Sequence, residues 1–191
     1  IEKPVGGSKE ESKEISQLCA DNQVVLASNY MRRWDNKYKY INHLLKKKIY
    51  GNLQTIVAYG ATSLLTSACH LLDLIIFFGG EVEWVDSDLQ QDYVRIVNGF
   101  EDPGAISMIK FRNRAHSFLK ATSKNDENFM FEIDIMCDDG RLNIKESWDD
   151  NDQADLDIYE FLPRNSDKTG RYMTLKQKQY RDSLVYNERM L

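Results

Sequence analysis

The run FMFEIDIMCDDGRLNIKE, residues 129–146, decides the fold class. Phe129, Phe131, Ile133 and Ile135 alternate with Met130, Glu132, Asp134 and Met136, so an extended chain here has one apolar face. Asp139-Gly140 is a tight-turn pair, and Leu142, Ile144 and Glu146 carry the same period on the far side of it. The run therefore predicts a β-hairpin with one face to bury. Further strand candidates lie at residues 82–87, 93–98, 105–112, 116–122 and 156–162. Together they predict a large, open, mainly antiparallel sheet.

Before residue 80 the period is helical. Ser8-Lys9-Glu10-Glu11 has capping-box spacing, and Ile15, Leu18 and Cys19 fall on one stripe of the helix it starts. Val24-Val25-Leu26-Ala27 reads as a short, fully buried strand. Residues 35–48 form an amphipathic helix with Tyr38, Ile41, Leu44 and Leu45 on one stripe, and Gly51 stops it. Its closing Lys46-Lys47-Lys48 suits the negative end of the helix dipole, which makes it a solvated terminus rather than a nucleic-acid patch. A strand over residues 53–59 and an apolar helix over 63–78 follow, closed by Gly79-Gly80. A last helix is expected over residues 175–191. The class is α+β, an open sheet with helices on one face, preceded by a helix and strand of the kind that close an α/β sheet.

Composition excludes several functions. The 191 residues are 42% hydrophobic and 29% charged, with a formal charge of −5, which favours neither nucleic acid nor an anionic membrane as partner. The apolar stretch 64–78 is too short and too interrupted to span a bilayer. Cys19, Cys69 and Cys137 form no CxxC pair, so a reducing compartment, with the cytoplasm as default, fits better than a disulfide framework or a zinc site. His43, His70 and His116 lack metal-ligand spacing, and no P-loop, G-x-S-x-G elbow or G-x-G-x-x-G turn is present. Residues 149–160 imitate a calcium loop, but Ala154 stands where the turn needs glycine, which leaves a solvated loop running into a strand. Trp34, Trp84 and Trp148 suit a core or an interface as well as a sugar platform. The chain begins at Ile1 inside what reads as the end of a strand, which suggests a fragment.

Two places can carry chemistry. On a helix, Thr66, Ser67 and Asp73 lie at i−4, i−3 and i+3 from His70, a narrow polar stripe on an apolar cylinder that needs hydrogen-bond partners or a cleft. An imidazole held there can take a proton from a hydroxyl; equally, it can be a satisfied structural histidine. In Glu2-Lys3-Pro4 the proline restricts the backbone, and a tight turn can aim the Lys3 ammonium into a cleft or simply follow a strand.

In this order and spacing, EKP at residues 2–4 before the capped helix, SNYMRRWDNKYKYINHLLKKKIYGNLQTI at 28–56 and HLLDLIIFFGG at 70–80 resemble the glucose-fructose oxidoreductase, inositol dehydrogenase and MocA family of NAD(P)-dependent oxidoreductases. The resemblance covers nearly the whole chain. It implies that residues 1–29 are the tail of a dinucleotide-binding Rossmann domain and residues 30–191 the α+β substrate-binding and oligomerising domain. It implies NAD or NADP as cofactor in the intact protein, with Glu2, Lys3 and Pro4 on the cofactor side. The substrate would be a sugar, cyclitol or related polyol, contacted by Lys3, Arg33, Thr66, Ser67 and His70. Lys3 would touch the reacting hydroxyl, His70 would be the acid-base group, Pro4, Arg33 and Asp73 would be supporting residues, and the Lys3-Pro4 bond would be cis. A homo-oligomer would form through the sheet. Without the glycine loop these residues alone would be inactive.

One departure opens a second reading. Many members carry aspartate or asparagine a few residues before the histidine, where this chain has Thr66 and Ser67. A hydroxyl orients an imidazole but stabilises its charged form less well than an anion. The alternative is a non-catalytic sugar-binding or assembly module of the same fold.

Overall fold

Leu71, Leu74, Ile75 and Phe78 repeat at helical spacing, and in the computed structural model all four are buried in the core that the sheet lines. Burying each is worth about 1.5–3 kcal/mol. The structure describes residues 1–97, 99–122, 130–148, 153–163 and 173–185. Phe129 and the 149–152 part of the acidic run lie outside them.

The elements are α1 (Lys9–Asp21), a 3-10 turn (Met31–Arg33), α2 (Asn36–Lys46), β1 (Leu53–Gly60), a π-helical turn (Leu64–Ala68) and α3 (Cys69–Gly79). Seven strands follow: β2 (Val82–Val97), β3 (Phe100–Phe111), β4 (His116–Ala121), β5 (Phe131–Cys137), β6 (Arg141–Trp148), β7 (Gln153–Pro163) and β8 (Met173–Val185). They form one eight-stranded sheet in the order β2-β3-β4-β1-β5-β6-β7-β8. β1 runs parallel to β4, and the other pairings are antiparallel. The expected α+β class is the observed one.

The β5–β6 hairpin pairs Ile133 with Ile144 and Ile135 with Leu142, all buried, and the Cys137 amide closes the turn on the Gly140 carbonyl at 2.8 Å. The turn docks on the loop before β1, where Asp138 accepts from the Asn52 amide at 2.9 Å. Gly51 has φ +79°, and a Cβ there would lie 2.7 Å from the Asp138 Cβ. Only glycine combines that backbone with that approach.

α2 and α3 cover one face: Tyr38 and Ile41 join the core beside Ile56, Leu119, Ile133 and Ile144. The other face carries exposed Tyr59, Ile106, Met108, Phe118 and Met136. Among the described residues no helix is long and apolar enough to cross a membrane.

Three expectations need correction. Residues 24–27 are not a buried strand: they have no sheet partner, and Val25 is 91% exposed. An apolar run becomes a strand only beside another backbone, and here the Ile1 ammonium reaches the Ala27 carbonyl at 2.9 Å and the Asn29 amide reaches the Ile1 carbonyl, a single parallel bridge. α1 forms on its Ser8 cap, as expected, and buries none of its residues; the helices on the sheet are α2 and α3. The segment expected to be helical from residue 175 is β8, whose register places Lys176 opposite Glu160. Pairing along the β7 edge outweighs helix propensity, a weak prior; residues 186–191 lie outside the described residues. The strand expected at 105–112 starts at Phe100, and the two expected at 82–87 and 93–98 are one strand, irregular between Leu89 and Val94. Pro103 pairs beside that irregularity, where a missing amide donor is tolerated.

Candidate functional site

Ser8 starts α1 by accepting from the Glu11 amide at 3.1 Å, while the Glu11 carboxylate accepts from the Gly7 amide at 2.7 Å. The two bonds fix the end of the segment that begins at Lys3, and the Lys3-Pro4 bond is cis. Lys3 Nζ reaches 62 residues along the chain to donate to the Leu65 carbonyl at 3.2 Å, and it also donates to the Thr66 carbonyl. Beside it opens a cleft of about 500 Å³, bounded by Lys3, Pro4, Gly6, Gly7, Leu65, Thr66 and, from the β2–β3 hairpin, Val97 and Phe100. Its size is that of a small-molecule site. A Cβ on Gly7 would lie 3.1 Å from the Phe100 ring, so the wall there is bare backbone against an aromatic edge.

The chain ahead of His70 is a π turn and not the α-helix its apolar pattern predicts: the Ala68 amide bonds to the Ser63 carbonyl at 3.1 Å. The extra residue per turn takes Thr66 and Ser67 off the expected stripe. Thr66 Oγ1 donates instead to Asp102 Oδ2 at 2.7 Å, and Asp102, fully buried on β3, also accepts from Ser63 Oγ and from the Leu65 and Thr66 amides. A carboxylate is therefore present at this turn, supplied by another element. Ser67 is half-buried.

His70, in the first turn of α3, is 7% exposed and meets the Tyr30 ring edge-on at 5.9 Å between centroids. Its Nδ1 is buried with no hydrogen-bond partner among the described residues. Burial first, then the charges of Arg32 and Lys3, lower its pKa to about 3, against the opposing pull of Glu146. The imidazole is thus neutral at physiological pH. Arg32 and Glu146 form a buried ion pair, 2.8 Å and 3.0 Å, with the Tyr38 hydroxyl donating to Glu146 at 3.1 Å and the guanidinium 4.0 Å over the Phe131 ring. Burial works against the Arg32 charge, but Glu146 and Tyr38 outweigh it and hold its pKa above the usual value. Cys69 donates to the Leu65 carbonyl at 3.3 Å, and burial pushes its thiol pKa up.

Of the expected residues, Lys3, Thr66 and His70 are brought onto one turn and its neighbouring helix. Lys3, Pro4 and Thr66 border the cleft, whereas Glu2, Arg33, Ser67 and His70 are not among the residues that line it. Glu2 is exposed and accepts from Asn29 Nδ2 at 2.9 Å. Arg33 Nε binds both Asp73 oxygens, at 2.8 Å and 2.7 Å, and its guanidinium lies 5.1 Å over the Phe77 ring. The expected polar stripe at Asp73 is thus answered by Arg33 and not by His70. Arg32, Glu146 and Asp102 were not expected. Glu146 had a signal, an acid on the apolar period of its strand; Asp102 had none, because Asp102-Pro103-Gly104 reads as a turn.

The cleft, with its bare backbone wall and an ammonium at its edge, fits one ring and its polar substituents, such as the nicotinamide end of a dinucleotide. The phosphate-binding glycine turn that would hold the remainder is not in this sequence. Among the described residues no three His, Cys, Asp or Glu side chains are grouped to hold a metal ion.

No family model matches the sequence, and no curated protein matches it. Solved structures match its fold. A dehydrogenase from Chromobacterium violaceum has a TM-score of 0.74 at 17% identity, covering 98% of this chain and 56% of its own. Levoglucosan dehydrogenase in complex with NADH and levoglucosan has a TM-score of 0.71 at 15% identity, covering 93% and 53%. The WlbA dehydrogenase from Bordetella pertussis in complex with NADH and UDP-GlcNAcA has a TM-score of 0.67 at 17% identity, covering 75% and 50%. The chain spans about half the length of these structures. At such identities the likeness shows the fold alone.

Proposed function

We propose that this chain is the carboxy-terminal part of an NAD(P)-dependent oxidoreductase that moves a hydride between nicotinamide and a sugar, cyclitol or related polyol. Residues 1–29 would be the tail of the Rossmann domain and residues 30–191 the domain that binds substrate and assembles the oligomer. The observation that carries this reading is Lys3 set against the π turn that leads into His70, two candidate groups 67 positions apart in sequence and joined through Leu65 and Thr66. The single parallel bridge of Ile1 to residues 27–29 supports the Rossmann assignment, since it is the pairing of that type of sheet.

When bound, the dinucleotide supplies nicotinamide C4 as the hydride acceptor or donor. Lys3, at the edge of the cleft, offers the reacting oxygen the N–H that it does not donate to the Leu65 and Thr66 carbonyls, and stabilises the charge that grows there. His70 is neutral when oxidation begins and takes the hydroxyl proton as the carbon is oxidised; on reduction it must first be protonated before it can return one. Leu65 and Phe100 give one side of the cleft an apolar lining. Exposed Ile106, Met108 and Phe118 support assembly through the open sheet face.

The test is turnover of the intact protein with NAD(H) and NADP(H) across a panel of sugars, cyclitols and nucleotide sugars. Lys3→Ala and His70→Ala should each lower kcat about 100-fold or more. Full turnover by His70→Ala would remove the role given to His70. A G-x-G-x-x-G turn between a strand and a helix in the gene upstream of Ile1 would support the domain assignment, and a start codon directly before Ile1 would oppose it.

One observation favours a non-catalytic sugar-binding or assembly module. Thr66 spends its hydroxyl on Asp102, and no described side chain orients His70 Nδ1. Cofactor binding without hydride exchange on any sugar of the panel would select this reading.

A further inference from the structure

The π turn is gripped from both sides. Asp102 accepts from Leu65 N at 2.6 Å, Thr66 N at 3.1 Å, Ser63 Oγ at 2.7 Å and Thr66 Oγ1 at 2.7 Å. Lys3 donates to the Leu65 and Thr66 carbonyls on the opposite side. The Leu65–Thr66 peptide is thus bonded at both ends, its N–H to a carboxylate and its C=O to an ammonium. A peptide polarised in this way binds each partner more strongly than it would bind either alone. A buried anion also dictates which way the peptide faces, because the reverse orientation would set a carbonyl oxygen against the carboxylate.

We propose that Asp102 is the positioning residue for Lys3, acting through the Leu65–Thr66 peptide. Asp102 does not reach the cleft, whose lining includes Lys3 and Thr66, so its effect on any bound molecule passes through those two. The inference rests on the dehydrogenase reading for its consequence in catalysis, but the arrangement itself is independent of that reading. Here the carboxylate comes from β3 and serves the lysine, not the imidazole.

The experiment observes the Lys3 ammonium directly in the full-length protein, as its side-chain ¹H–¹⁵N signal, assigned by its loss in Lys3→Arg. Hydrogen bonds to two carbonyls slow its exchange with water. Asp102→Asn keeps the size but removes the anion, and it should accelerate Lys3 exchange about two- to threefold, the loss of the cooperative strengthening that one hydrogen bond of a peptide gives the other. The methyl spectrum of the core should stay native. Unchanged Lys3 exchange in a folded Asp102→Asn protein would overturn the proposal. Should that variant fail to fold, the Ser63→Ala/Thr66→Val double variant removes two of the four donors that hold the carboxylate, and the same criterion applies to it. Neither outcome depends on turnover: unchanged exchange overturns the role of Asp102 in an active dehydrogenase, and faster exchange supports it in a protein with no activity.

Discussion

His70 lies buried near two cations, Arg32 and Lys3, with its pKa lowered to about 3, while the unfolded chain takes up the same proton near its ordinary value of about 6.5. Between these values the unfolded state holds more protons, so stability rises with pH. The contribution is complete above about 6.5 and is lost as the pH falls toward 3, at about 1.4 kcal/mol per pH unit. Urea denaturation between pH 4 and 6 should show this slope in the wild type, and His70→Gln should lack it. Equal slopes would mean that His70 is not held neutral. At this scale the sequence shows the chemistry-bearing residues but not their partners. Lys3 and His70 stand out by type and context, yet which of the adjacent Arg32 and Arg33 turns inward depends on a 3-10 turn that no local pattern announces. Asp102 stays hidden because its strand contains a proline and a glycine, residues that normally break one.

The Arg32–Glu146 pair joins elements 114 residues apart, the 3-10 turn before α2 and strand β6, and Tyr38 of α2 closes the triangle. Removing one partner leaves a buried charge alone, so Arg32→Met or Glu146→Gln should each cost about 3–5 kcal/mol, while Arg32→Met/Glu146→Leu together should cost clearly less than the sum. A double-mutant cycle by urea denaturation measures the difference, and additivity would deny the coupling. Elements with a strong local signal are legible in sequence: the Ser8 box starts α1, Asp35 caps α2 by accepting from the Lys37 amide at 2.8 Å, and the Asp139-Gly140 pair turns the β5–β6 hairpin. The failures are elements whose state is settled by a neighbour. Residues 24–27 had a strand pattern but only one bridging contact, and β8 had a helical composition but a free edge to join.

Over the whole molecule, alternation along each strand yields the two faces of the sheet, while the strand order does not follow from it. The connection through α3 leads from β1 to β2 at the sheet edge, and the β2-β3-β4 meander then brings β4 back parallel to β1, a long-range choice made by packing. The uncovered face pairs Met108 beside Phe118 and Phe118 beside Val57 in register. If it joins copies of the chain, Ile106→Thr/Phe118→Thr should weaken association about tenfold or more in sedimentation velocity without loss of the folded core. A wild-type protein that is monomeric at micromolar concentration would contradict assembly through this face.

Hydride transfer at the cleft beside Lys3 is the proposed activity. It is tested most directly by giving the intact protein nicotinamide cofactor deuterated separately at each face of C4, with the panel of carbonyl sugars, and reading the product by mass spectrometry. Deuterium should arrive from one face only, and its transfer should fall about 100-fold or more in His70→Ala. Bound cofactor with no deuterium in any product would contradict hydride transfer at this site.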